Sequence, residues 1–170
     1  MRPAANADVP VVASIWFRGW RDGHVGHVSD ELVSTRTEAS FRLRAARRVA
    51  DTTVATVDGA VAGFIMVGED EVEQVYVARA HRGTGVAAAL LAGAEEIIAS
   101  NGHESAWLAV VSGNARARRF YERHGWIDAG LIDYLAATED SSVSIPAHRY
   151  NKRVTQNADK GTAVAARVTL

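Results

Sequence analysis

Arg82-Gly83-Thr84-Gly85-Val86-Ala87 separates a β-rich run from a long run with one apolar stripe. Glycine lets a backbone approach a ligand closely, and the free N–H groups at a helix start point at an anion. The helix dipole adds positive potential at that end. Arg79, His81 and Arg82 add side-chain charge. A diphosphate suits this arrangement. Gly83-x-Gly85-x-x-Ala88 also satisfies the dinucleotide-binding fingerprint. Against that reading stand a long strand-to-glycine connection and an upstream hairpin pattern where βαβ repetition is required. Glu104 also precedes the next strand instead of ending it. A purely structural glycine turn is the plain alternative.

Glu71 and Glu73 stand just upstream. In a regular strand both share a face with Val75 and Val77, a rule that a bulge would break. They can be proton acceptors or a solvated acidic turn. Tyr121 lies at helical spacing with Ala117, Phe120 and His124, so on spacing alone it reads as core. His24 and His27 are three apart in the loop after the first helix, but no other ligand cluster supports a metal; they read as surface loop residues. Arg116, Arg118, Arg119 and Arg123 form a basic helix segment whose plain reading is a solvated face. Trp16 and Trp20 read as core or pocket wall, and Trp107 reads as core beside a cofactor cleft.

The elements that hold these residues follow from periodicity. Asn6 or Asp8 can cap a helix through Val12, Ile15, Trp16 and Trp20. Residues 34–50 read as a second helix with a charged outer face. Two β-rich runs, 52–57 and 61–67, flank Asp58-Gly59, a strong hairpin signal. Residues 72–77 form another strand. Residues 86–100 form a helix that Asn101-Gly102 ends. Residues 106–111 are continuously apolar and read as a strand buried on both faces. Strand, helix and strand in that order suggest a parallel crossover. A short helix from Asn114 to His124 stops at Gly125. Residues 126–135 and 148–154 read as a closing pair of strands.

The stretch Val72-Glu-Gln-Val-Tyr-Val-Ala-Arg-Ala-His-Arg-Gly-Thr-Gly-Val-Ala87 resembles the signature of the GCN5-related N-acetyltransferase family, whose core of Arg/Gln-x-x-Gly-x-Gly/Ala is met by Arg82, Gly85 and Ala87. Asn114-Ala-Arg-Ala-Arg-Arg-Phe-Tyr-Glu-Arg-His-Gly-Trp126 resembles the second signature. Arg2-Pro-Ala-x-x-Ala-Asp8 and His148-Arg-Tyr150 look like the family's two ends. The resemblance implies a mixed α+β fold: a mostly antiparallel sheet of about six to seven strands flanked by helices, with two parallel strands splayed at its middle. It implies acetyl-CoA as co-substrate, without metal. Backbone groups of Val75, Tyr76 and Val77 would pair with the pantetheine arm, as though it were an added strand. The amides of Arg82, Gly83, Thr84, Gly85, Val86 and Ala87 would hold the pyrophosphate, and Asn114 would hydrogen-bond the arm. Tyr121 would sit near the sulfur as an acid. Glu71 matches the base of some members, with Glu73 second, and a water chain is a third route. One or two of the helix arginines would reach the ribose 3′-phosphate. The resemblance also gives His24 and His27 an alternative reading, contact with the acceptor.

Amine attack on a thioester needs a neutral amine, and a lysine-like amine, with an ordinary pKa of about 10.4, calls for a base near neutral pH. The expected reaction is therefore direct transfer of an acetyl group to a primary amine on a small molecule or peptide. The rivals are an acyl-CoA sensor that has lost its chemistry and transfer to a hydroxyl. Glu69 to Glu73 and Asp22 weakly favour a cationic acceptor.

With 170 residues, 48% of them hydrophobic, the chain suits one domain. We expect it over residues 1–154, with a tail at 155–170. A net charge of −1, with no aromatic pattern among the arginines, points away from nucleic acid. There is no cysteine, so neither disulfide nor thiolate chemistry is available. The apolar run 86–94 is too short to span a bilayer. A cytoplasmic protein is expected, and the resemblance allows a homodimer.

Overall fold

A computed structural model of the chain describes residues 1–137 and 142–155. It begins with a two-residue strand, β1 (Arg2–Pro3), and helix α1 (Val9–His24). The side chain of Asp8 does not cap α1. Its carboxylate turns back, accepting from the Ala5 N–H at 2.8 Å and from both terminal nitrogens of Arg2 at 2.7 and 2.8 Å. This pair ties β1 to the start of α1.

The single helix expected over residues 34–50 is two: α2 (Asp30–Thr35) and α3 (Glu38–Arg47). The cause is capping. Ser29 Oγ accepts from Leu32 N and Thr37 Oγ1 accepts from Ser40 N, so Thr37 starts a new helix where continuity was expected. The break at Arg36, with φ −93° and ψ 64°, turns the chain toward the molecule's interior.

Strands β2 (Thr52–Val57) and β3 (Ala60–Gly68) form the expected hairpin. Asp58 and Gly59 take φ values of 50° and 80°, the two positive values of a type I′ turn. After a turn at Glu69 comes β4 (Glu71–Val77). Met66 pairs with Gln74 but Val67 pairs with Val72, so Glu73 is an extra residue in a bulge. The bulge changes which face each side chain takes. Val72 joins Val75 and Val77 against one core cluster, while Tyr76 belongs to the other. Glu71 leaves the face expected for it and joins the side of Tyr76.

Helix α4 (Val86–Ser100) crosses to β5 (Ser105–Val111), then α5 (Ala115–Arg123), β6 (Ile127–Ala137) and β7 (Ser142–Arg153). Strand β7 starts well before the expected residue 148, because Ile145 and Ala147 alternate into the core. The sheet order is β1-β2-β3-β4-β5-β7-β6. All neighbours are antiparallel except β4 and β5, which run parallel and share one register pair, Glu71 with Trp107. Beyond that pair the two strands part.

Helix α4 covers one face of the sheet with Leu90, Leu91, Ala94 and Ile98, packed among Ile65, Leu108 and Tyr150. Helices α1 and α3 cover the other with Val12, Trp16 and Phe41 over Phe64 and Met66. Each fully buried large side chain contributes about 2 kcal/mol. β5 departs from the expected burial on both faces. Ala106, Leu108 and Val110 are buried, whereas Trp107 and Ala109 are partly open beside the split. Residues 156–170, which hold nearly all of the expected tail, lie outside the described residues.

Candidate active site

The parting of β4 from β5 leaves the β4 edge without a partner strand. Ala78 N donates to Ala62 O at 2.8 Å, which sets the phase of the β3 ladder. Antiparallel bonding alternates, so Tyr76 and Gln74 bond toward β3, and the main-chain groups of Val75 and Val77 face the gap. The three-residue expectation narrows to these two. Tyr76 spends its main chain in the ladder and offers its side chain instead. Its ring stacks on Phe64 and lies against Gly19 of α1, where a Cβ would meet it at 2.4 Å.

A cavity of about 880 Å³ runs through the split, lined by β4, the turn after it, α5 and the far helices. At one end is the glycine turn. Gly83 and Gly85 take φ values of 80° and 90°, which only glycine adopts cheaply, and nothing lies within 4 Å of a Cβ built on either. No side chain caps α4, whose first hydrogen bond runs from Ala89 N to Gly85 O. The N–H groups of Gly85, Val86, Ala87 and Ala88 therefore lack helical partners. The Val86 side chain is buried in the core, and Thr84 Oγ1 donates to His81 O, so these two can offer only main-chain amides. The donors suit a polyphosphate, and the space a Cβ would occupy is open. Arg82 pairs with Asp22 of α1 at 2.7 Å.

Helix α5 closes the opposite wall. Asn114 Oδ1 caps it by accepting from Ala117 N at 3.1 Å. Only its Nδ2 is left for a ligand, and that atom lies against Gly23, 2.8 Å from where a Cβ would stand. Tyr121 lines the cavity between Phe120, Trp126 and Tyr150. Its hydroxyl has no hydrogen-bond partner among the described residues, and burial holds its pKa well above the usual phenol value. Such a group is a proton donor. Of the helix arginines, Arg116 and Arg123 line the cavity, whereas Arg118 turns away to Tyr150 and Asp128.

The two carboxylates part company. Glu71 lines the cavity, with Oε1 accepting from Tyr134 Oη at 3.0 Å. Burial pushes its pKa up to about 7; the Tyr134 bond opposes this, and the charges of Glu73 and Asp70 add to it. Glu73 lines the same cavity but accepts from Arg48 at 2.6 Å, which occupies it as an ion-pair partner. Trp107, expected as core beside the cleft, sits where the split begins but only partly buried, its Nε1 donating to Asp70 and the Arg149 guanidinium 4.1 Å above its ring.

Sequence reasoning missed two residues, Arg36 and Arg44, and gave His24 as a loop residue or an acceptor contact. His24 is in the last turn of α1, stacked on Trp20 at 4.8 Å, and burial lowers its pKa to about 4, so it is neutral. Arg36 and Arg44, read as part of a charged outer face, line the cavity. No spacing rule could have found the arginines, because the helix break at Arg36 directs them inward. Two of the acids expected to attract a cation are paired within the protein: Asp22 with Arg82 and Glu73 with Arg48. Among the described residues no group of three or more His, Asp or Glu side chains could hold a metal. No helix among them is long and apolar enough to cross a membrane.

A parallel pair of strands splayed over a glycine turn, with a phenol and a carboxyl in one cleft, defines a class of fold that comparison identifies. The chain belongs to the acetyltransferase (GNAT) family, whose family model matches residues 12–126. No curated protein matches the sequence. Among solved structures, a GCN5-related N-acetyltransferase from Rhodopseudomonas palustris is similar at 21% identity and TM-score 0.69, over 89% of this chain and 93% of that one. The PaiA N-acetyltransferase from Thermoplasma acidophilum, solved in complex with coenzyme A, is 18% identical with TM-score 0.67, over 89% and 96%. A ribosomal-protein-alanine N-acetyltransferase from Brucella melitensis is 20% identical with TM-score 0.66, over 89% and 98%.

Proposed function

We propose that this acetyltransferase moves an acetyl group from acetyl-CoA directly to a primary amine. The observation that carries the amine is Glu71: a half-buried carboxyl whose pKa of about 7 suits a base, in the same cavity as Tyr121 and the open N–H groups of α4. A hydroxyl acceptor would use the same base as it attacks, so the acceptor panel below compares the two classes directly.

The chain's parts divide the work. The Arg82 amide, expected in the cradle, is spent on Arg79 O at 3.3 Å, and the amides from Gly83 to Ala88 grip the pyrophosphate at the positive end of α4. The Val75 and Val77 main chain aligns the pantetheine arm along the free β4 edge. Acetyl-CoA supplies the activated acyl carbon. Glu71, ionised above about pH 7, takes the proton of the acceptor ammonium, directly or through water. An N–H of the β4 edge lies toward the carbonyl oxygen, where charge develops. Tyr121 holds the proton for the departing sulfur. The intact phenol and the glycine turn favour an enzyme over a sensor of the same fold.

The test is CoA thiol release from acetyl-CoA across matched panels of primary amines and alcohols, with products identified by mass spectrometry. Amide products with no ester products are expected. Ester formation at equal or greater rates would refute the amine assignment. Tight CoA binding with no turnover on any acceptor would favour the sensor.

A further inference from the structure

Two guanidinium groups at the far end of the cavity form no ion pair with a carboxylate among the described residues. Arg36 comes from the break between α2 and α3, and Arg44 from α3. Both donate to one oxygen, the carbonyl of Ala137 at the end of β6, at 2.6 Å from Arg36 Nη2 and 3.3 Å from Arg44 Nη1. Arg36 is only 6% exposed. The Cζ atom of Arg44 stands 5.4 Å from the Trp16 ring centroid, and that of Arg36 stands 5.9 Å from the Trp20 centroid. Neither arginine meets a carboxylate among the described residues. Burial lowers both pKa values, that of Arg36 to about 10; the charge of Arg44 adds to the effect on Arg36, while at Arg44 the charge of Arg48 is opposed by Tyr76, Tyr134 and Glu73.

Each guanidinium has five N–H donors and uses one here. A carbonyl oxygen supplies dipole but no charge. Two desolvated cations side by side are costly to a fold unless an anion joins them. None of their remaining nitrogens is sealed in the protein without a partner, so the unused donors open toward solvent-accessible space, in a cavity both residues line. Strand β6 links them to the base: it carries Ala137, their shared acceptor, and Tyr134, which donates to Glu71. The neighbouring acids are engaged, Glu73 by Arg48 in particular.

We propose that Arg36 and Arg44 form an anion site for the acceptor, so that the amine substrate carries a carboxylate or a phosphonate or phosphate group. This rests on the amine reading above and adds an anion to the acceptor that the acids at 69–73 and Asp22 weakly marked as cationic. The Trp16, Trp20 and Leu43 side chains at the same end give such a molecule an apolar wall. The class is a small amino acid or aminophosphonate in which Glu71 meets the ammonium end and the guanidinium fork meets the anion.

The experiment compares matched acceptors: leucine, its phosphonate analogue and 3-methylbutylamine; phenylalanine, its phosphonate analogue and phenethylamine. We expect kcat/KM to be at least 100-fold higher for an anion-bearing member than for its uncharged-tail partner. The better of the carboxylate and phosphonate identifies the anion. Arg44→Gln should bring that ratio below 10-fold through KM, and Arg44→Lys should restore it partly. Equal use of both partners, or an Arg44→Gln loss that leaves the ratio intact, would overturn the site. If no amine turns over, tryptophan fluorescence titration decides. Quenching by N-acetylleucine but not by its methyl ester, abolished in Arg44→Gln, keeps the anion site while the acyl-transfer reading fails. Equal titration by acid and ester, or by neither, overturns the site.

Discussion

Burial of Glu71 outweighs the hydrogen bond that Tyr134 donates to it, so its carboxyl pKa is pushed up to about 7, above the usual carboxylate range. Two consequences can be measured. The rate of acetyl transfer should rise as pH passes through about 7, when the base ionises. Glu71→Gln should cut kcat at least 100-fold, remove that limb of the profile and leave CoA affinity unchanged. A raised carboxyl pKa also costs the fold. The protonated form stabilises it fully below about pH 4.5, and that contribution is lost as pH rises through about 7. Glu71→Gln should therefore raise Tm at pH 8 by about 2–4 °C, a gap that closes in acid. Tyr121 makes no hydrogen bond among the described residues to explain its hydroxyl. Tyr121→Phe should lower turnover at least 10-fold with donor KM little changed; unchanged turnover would remove the acid role. Neither side chain's neighbours are visible in spacing. Tyr121 was recognisable only through the pattern around it, and the partner of Glu71, Tyr134, is 63 positions away.

Helix α4 and the turn before it act as one element. The turn was legible because glycine at 83 and 85 serves a backbone need that the structure bears out, with φ values of 80° and 90°. At Gly85 a side chain would be strained by φ as well as lodged where a phosphate would sit. Gly85→Glu should weaken CoA binding at least 100-fold by calorimetry, with far-UV circular dichroism retained. The first helix start makes a different case. Asp8 accepts from Arg2 and Ala5, and the Arg2 bond, with the Ala5 N–H adding to it, holds its pKa down at about 2. Its ionised form stabilises the fold above about pH 4, and that contribution disappears as pH falls through about 2. Asp8→Asn should lower Tm by about 2–4 °C at pH 6, with the difference vanishing between pH 4 and pH 2.

For the whole molecule, the decisive feature is the split between β4 and β5. Two strands joined by one register pair leave a wedge that a ligand can fill with its own amides. Filling it stabilises the native state by mass action. CoA at 100 times its Kd should add about 2.7 kcal/mol, which corresponds to about 5–11 °C in Tm for a chain of this size. Gly85→Glu should abolish that shift under the same conditions, and an equal shift in both proteins would place the phosphates elsewhere. The wedge also explains why residues far apart in sequence share one cavity: the break at Arg36 and the end of β6 at Ala137 meet over it.

Local periodicity and turn chemistry determined the hairpin at Asp58-Gly59, helix α4 and the glycine cradle, because each depends on residues only a few positions apart. Tertiary structure decided the rest. A helix expected as one piece became two where Thr37 capped a new start, and that turned Arg36 and Arg44 inward. A one-residue bulge at Glu73 sent Glu71 to the side of Tyr76, and Arg48, 25 positions from Glu73, took that second carboxylate out of play. Strand register and long-range pairing depend on which elements meet in space, and a linear pattern does not encode that choice residue by residue.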